Sequence, residues 1–299
     1  MTRISARVAC CAFVSFAAFT GGAHAAANPM GLAYKTTTNV SLYAKPTGLV
    51  IAGRCNRYDP AFANVRAKGG EVLAYLVPTA RPDHPVCALD TSFYMNNLGA
   101  VPLWPYPSYG QRSLWPNTRL PDIRAGSKWI LHVVAYVEKL MRENKVDGVF
   151  LDAVGARPYS SLADWNSWSM TEKNAYTAGI VDLVRRLDAK RRAIRPSFII
   201  VNNGKWDRRD GNTIGFAGER YVDGIMMEQP AAMNAYHLNT IKRTFSNLGH
   251  RRTIVLTNTR EEAIAWSKVS GVTHVGAQRD GTFAYPPTPV VSFKTLDDR

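Results

Sequence analysis

Short apolar runs recur along the chain at intervals that leave room for a helix between them. They fall at residues 49–52, 71–77, 101–104, 147–151, 198–201, 223–227, 253–256 and 273–277. None alternates cleanly with polar residues, so each suits a strand covered on both faces, as in a parallel sheet. Helical patterns fill the gaps. One spans 59–68, with Asp59 as N-cap and Pro60 at the first position; Gly69-Gly70 ends it. Another spans 127–144 behind Ser127, with Trp129, Val133, Tyr136, Val137 and Leu140 on one face. Further helices are predicted near 171–193, 233–248 and 260–268. Eight strands alternating with helices predict an α/β protein with a closed (β/α)8 TIM barrel in a single domain. An open doubly wound sheet is the alternative, but no Gly-rich phosphate loop follows any strand.

The connections are unequal in length. Segments 78–100, 105–126, 153–170 and 202–221 are long and follow strands, whereas 68–70 and 145–146 are short and precede them. In a barrel the long ones gather at the C-terminal face, where substrate sites are built. Two strands deliver an acid to that face in matching frames, Asp147-Gly148-Val149-Phe150-Leu151-Asp152 and Asp223-Gly224-Ile225-Met226-Met227-Glu228. Glycosidic cleavage needs one carboxyl to protonate the leaving oxygen, and a second to attack the anomeric carbon or activate water. Asp152 and Glu228 are therefore the candidate catalytic pair, although either acid alone could be a cap or a salt-bridge partner. Asp147 and Asp223, at the opposite ends, read as turn residues beside their glycines.

Asn202-Asn203-Gly204 closes the run at 198–201 and offers amides to a sugar, Asn202 foremost, while Asn-Gly is also a strong turn signal. Aromatics crowd the same loops: Tyr75, Trp104, Tyr106, Tyr109, Trp115, Trp165, Trp168 and Trp206. Flat rings at a cleft stack on sugar faces, and Tyr75, Trp104 and Trp206 are the candidate platforms. Gln229, Asn258 and Gln278 fall near strand ends and could line the cleft.

Composition narrows the setting. Arg3 and Arg7, an apolar stretch over 8–20 and Ala23-His24-Ala25 form a secretory signal cleaved near Ala25. The domains are then a leader, 1–25, and a catalytic unit, 26–299, exported to the periplasm or beyond. No later segment could cross a membrane. Of four cysteines, Cys10 and Cys11 leave with the leader, so Cys55 and Cys87 could pair in an oxidising compartment or remain thiols. The formal charge is +14, from 37 basic and 23 acidic residues. Runs such as Arg185-Arg186 and Lys190-Arg191-Arg192 read as solvated helix faces or as attraction to an acidic polymer. No nucleic-acid motif is present. The six histidines are scattered without zinc spacing, and no nucleophile elbow or P-loop occurs, so a metal-independent enzyme without cofactors is expected.

The run Leu120-Pro121-Asp122-Ile123-Arg124, the helix after it, the two Asp-Gly strands and Ile200-Val201-Asn202-Asn203-Gly204 together resemble glycoside hydrolase family 114 and its spherulin-4-like relatives. The resemblance spans roughly residues 71–229. It implies a (β/α)8 endo-galactosaminidase-type barrel, with Asp152 and Glu228 as catalytic acids and Asn202 or Asn203 as a substrate contact. The chain departs from that pattern directly after Asp152, where it continues Ala153-Val154-Gly155. The expectation is a monomeric, endo-acting hydrolase of an extracellular or envelope polysaccharide. A glycan-binding barrel without turnover is the alternative, and an envelope protein held by its basic surface a further one.

Overall fold

In the computed structural model the described residues are 27–33, 40–82, 103–105, 118–155, 162–204, 215–228, 238–239, 241 and 252–277. Eight parallel strands close into a barrel. In chain order they are β1 (Asn28–Ala33), β2 (Leu49–Gly53), β3 (Glu71–Leu76), β4 (Gly148–Leu151), β5 (Ile199–Asn203), β6 (Gly224–Glu228), β7 (Arg252–Thr257) and β8 (His274–Ala277). Each pairs with its neighbours in sequence, and β8 closes on β1 through Asn28 opposite His274. Five helices follow the same order: α1 (Pro60–Ala67), α2 (Lys128–Glu143), α3 (Leu162–Ser167), α4 (Met170–Ile194) and α5 (Arg260–Trp266).

The count of eight holds, but its membership changes. The run at 101–104 contributes no barrel strand: Leu103 makes one isolated antiparallel bridge to Pro121, and Trp104 follows it into the core. The first strand is instead β1, whose Pro29 and Gly31 interrupt the apolar run and hide it from a pattern search. The helix expected at 233–248 lies almost entirely outside the described residues.

Caps explain the helix boundaries. Asp59 accepts a hydrogen bond from the Ala61 amide at 2.8 Å, and Ser127 accepts one from Ile130 at 3.2 Å. α4 and α5 each begin with a reciprocal capping box, Ser169 with Glu172 and Thr259 with Glu262. Asn144 stops α2 in the left-handed conformation, at φ 52°. The apolar stripe of α2 packs with Tyr176, Ile180, Leu183 and Leu187 of α4 against the outward residues of β2 to β5. The inward residues, among them Met30, Ile51, Leu73, Phe150, Val201 and Met226, fill the barrel. Cys55 is disulfide-bonded, and Cys87 lies outside the described residues.

Asp147 and Asp223 sit in bends directly before their strands, and they do more than turn the chain. Asp147 accepts from the amide of Val72 on the preceding strand at 3.0 Å and is gripped by Arg66 and Arg195. Asp223 does the same one repeat later, accepting from Ile200 at 2.8 Å and pairing with Arg191. Gly148 and Gly224 follow because the next strand approaches closely: a Cβ at either would overlap the carbonyl oxygen of Ile199 or of Arg252. The repeated Asp-Gly is thus a device for locking strands together at the N-terminal end of the barrel.

Candidate active site

Side chains point alternately into and out of a barrel strand. Leu73, Phe150, Val201 and Met226 point inward, and two residues further on the same parity selects Tyr75, Asp152, Asn203 and Glu228. These four come from the C-terminal ends of adjacent strands β3 to β6 and meet at the mouth. The two acids singled out in the sequence are therefore brought together.

Asn203 joins them. Its side-chain nitrogen donates to Oδ1 of Asp152 at 2.9 Å and to Oε2 of Glu228 at 2.8 Å. Two bonds from one amide nitrogen diverge by about 120°, which sets those oxygens roughly 5 Å apart. Asp152 receives two further donors, the Tyr75 hydroxyl at 2.6 Å and the Ala153 amide at 2.8 Å. Three converging donors favour a carboxylate over a carboxylic acid.

Glu228 has the opposite environment. Burial raises its pKa to about 7, the charge of Asp152 adds to the rise, and the Asn203 hydrogen bond only partly offsets them. One carboxyl is dressed as an anion while its neighbour holds a proton near neutrality, the division of labour that acid–base pairs need.

Ala153 sits at φ 55°, a conformation uncommon for a residue with a side chain. Its amide donates to Asp152 at 2.8 Å, and the left-handed turn redirects the chain immediately after it. Strain of this kind concentrates at functional sites.

The other candidates divide. Asn202 points outward, fully buried, and donates to the carbonyl of Val154 at 2.7 Å, so Asn203 rather than Asn202 faces the site. Tyr75 is buried against Phe150 and presents its hydroxyl, not its ring face, to the mouth. Trp104 is fully buried and stacks on Trp168 at 5.5 Å, in a cluster with Trp165 and Tyr176, so it offers no platform to a sugar. The backbone N–H of Asn258 donates to Glu262 in the cap of α5 at 3.0 Å. Trp206, Gln229, Tyr106, Tyr109, Trp115 and Gln278 lie outside the described residues. Sequence reasoning missed the positioning parts played by Tyr75 and Ala153. Strand parity could have found the first; nothing in the sequence marks the second.

Among the described residues no group of three or more His, Cys, Asp or Glu side chains is arranged to hold a metal ion. None of their helices is long and apolar enough to cross a membrane.

A closed (β/α)8 barrel with a bridged acid pair at its C-terminal mouth has the architecture on which glycoside hydrolases are built. No protein-family model matches the chain, and no curated protein matches it in sequence. Among solved structures it is similar to the glycoside hydrolase domain of PelA from Pseudomonas aeruginosa. Identity is 12% and the TM-score 0.53, over 89% of this chain and 99% of that one. Aspergillus fumigatus Ega3, solved with galactosamine, is 12% identical with a TM-score of 0.47, over 84% of this chain and 90% of that one. At such identities the likeness is one of fold.

Proposed function

We propose that the chain is an exported glycoside hydrolase that cleaves an extracellular or envelope polysaccharide internally, with retention of anomeric configuration. The observation that supports this reading is the Asn203 bridge, whose hydrogen bonds of 2.9 and 2.8 Å keep one oxygen of Asp152 near one of Glu228. Retaining enzymes space their carboxyls about 5–5.5 Å apart, whereas inverting ones leave about 6.5–9.5 Å for a water. Protonated Glu228 donates its proton to the glycosidic oxygen as the anomeric C–O bond breaks. Asp152 forms the new bond to the anomeric carbon, giving a glycosyl ester. Glu228, now a carboxylate, takes a proton from water, which attacks the same carbon and releases Asp152. The step as written uses no metal or cofactor, so a chelator leaves the rate unchanged. Export follows removal of residues 1–25, and the mass of the mature N-terminus tests it.

The direct test is reducing-end release from N-acetylated, neutral and acidic bacterial polysaccharides, with NMR of the first-formed anomer. Release by the native chain and not by Glu228→Gln or Asp152→Asn supports the assignment. Equal release by all three overturns it. Inverted product would keep the hydrolase and remove the nucleophile. Binding without release would leave a glycan-binding barrel.

A further inference from the structure

The helices carry a second feature along the outer flank of the barrel, from the start of α2, where the Gly126 amide donates to Asp182, toward the end away from the mouth. Parallel strands place their C-termini at the mouth, so the returning helices end at the bottom; Arg191 and Arg195 of α4 and its C-cap indeed reach the staples Asp223 and Asp147 there. α2 and α4 lie side by side, and their C-terminal halves present a layered charge pattern. Asp182 is shared by Arg185 and Arg186, Asp188 by Arg191 and Arg192, Glu138 by Arg142 and Lys190, and Glu143 by Arg57 and Lys139.

Each carboxylate thus has two cations, and depth separates the signs. The side chains of Asp182 and Asp188 are only 7% and 6% exposed, whereas Arg185, Arg192 and Arg142 are 55%, 70% and 62% exposed. The negative charges lie beneath a cationic skin. Arg191 also serves Asp223 and Arg57 is buried, so the surplus positive charge that faces solvent is carried chiefly by Arg142, Arg185 and Arg192. The Lys190–Glu138 bridge at 2.6 Å ties the two helices into one continuous patch.

We propose that this face is a docking surface for an acidic polysaccharide, holding the protein on its matrix by the flank while the mouth stays open. Planar guanidinium forks, already held by the carboxylates below, offer their remaining donors to carboxylate or sulfate groups with little ordering to be done. At its Arg57 edge the patch includes Tyr58, an exposed aromatic whose hydroxyl is hydrogen-bonded to Arg57 at 3.2 Å. The choice of a glycan over duplex nucleic acid rests on the hydrolase reading; the cationic face itself does not.

The experiment is retention of the full mature chain on immobilised polygalacturonate, eluted with sodium chloride, beside R142Q/R185Q/R192Q. Dextran, duplex DNA and phosphatidylglycerol vesicles are the comparison arms. Native protein binds polygalacturonate at low salt and not dextran; the triple variant loses about tenfold or more in affinity with its unfolding midpoint nearly unchanged. The single variants R142Q and R192Q, each expected to lose about two- to threefold in affinity, cover the case in which the triple variant fails to fold. Glu228→Gln binds like the native chain, so loss of hydrolysis and loss of docking are read separately. Equal retention of native and triple variant, or tighter binding to DNA or to vesicles than to polygalacturonate, overturns the proposal.

Discussion

Asn203 does the most per atom at the mouth, because one amide nitrogen orders both acids. It is a positioning residue, and its effect is separable from simple packing by pH. Its hydrogen bond lowers the pKa of Glu228 against burial and the Asp152 charge. Asn203→Ala should therefore move the alkaline limb of the rate profile upward from near pH 7, while kcat falls roughly 10- to 1000-fold, the range for losing a charge-directed donor. An unmoved limb would mean that Glu228 is not the acid. Tyr75→Phe removes the 2.6 Å bond to Asp152 but keeps the ring against Phe150. It should lower kcat by about tenfold or more with little change in stability, which steady-state kinetics and thermal melts together would show. At this scale the sequence was legible where chemistry is written in residue type: an acid ending an apolar run. It was not legible where direction decides. Asn202 and Asn203 are identical in type, and a strand covered on both faces carries no polar alternation to say which points inward. Trp104 failed for a related reason, since a ring suited to sugar is equally suited to Trp168 and Tyr176.

Elements are joined at the bottom of the barrel by the two Asp-Gly staples, and this is where their stability can be probed apart from chemistry. Asp147 satisfies the Val72 amide and two arginines, and Asp223 satisfies the Ile200 amide and Arg191. Replacing either by Ala leaves a strand amide without its acceptor and partly buried guanidinium groups with one acceptor fewer. The expected cost is about 1–3 kcal/mol each, measured as a lower urea midpoint with unchanged slope, while a folded fraction keeps its native KM. A loss of activity far beyond the folded fraction would show that the bottom of the barrel shapes the mouth. Helix positions were readable from caps and apolar faces because those are local, and the observed caps at Asp59, Ser127, Ser169 and Thr259 carry them. β1 was not readable, because its place is secured by pairing with β2 and β8 rather than by its own apolar pattern. Closure supplied the eighth strand that residues 101–104 do not.

Across the whole molecule two buried groups pull the pH dependence of stability in opposite directions. Glu228 has its folded pKa raised to about 7, so the stability it contributes is complete below its ordinary value near 4.5 and is lost as pH rises through 7. His274, at the start of β8, is held neutral by burial and by the charge of Arg252, with a pKa lowered to about 4 despite a hydrogen bond to the Thr47 backbone. Its contribution is complete above 6.5 and is lost as pH falls toward 4. The two windows overlap between about 4.5 and 6.5, and each shift corresponds to about 3 kcal/mol over its full span. The slopes should cancel there, leaving native stability nearly flat. Glu143, lowered to about 2 because Arg57, Lys139 and Tyr58 outweigh its burial, acts only at more acidic pH. Single variants expose the hidden slopes. Glu228→Gln should leave stability rising with pH through the window, and His274→Asn should leave it falling. Urea midpoints at pH 4.5, 5.5 and 6.5 distinguish these, and it is the sign of the slope that matters. A flat profile in both variants would mean that neither group is buried as described. The acid at the mouth would then lack the desolvation on which its proposed catalytic part depends.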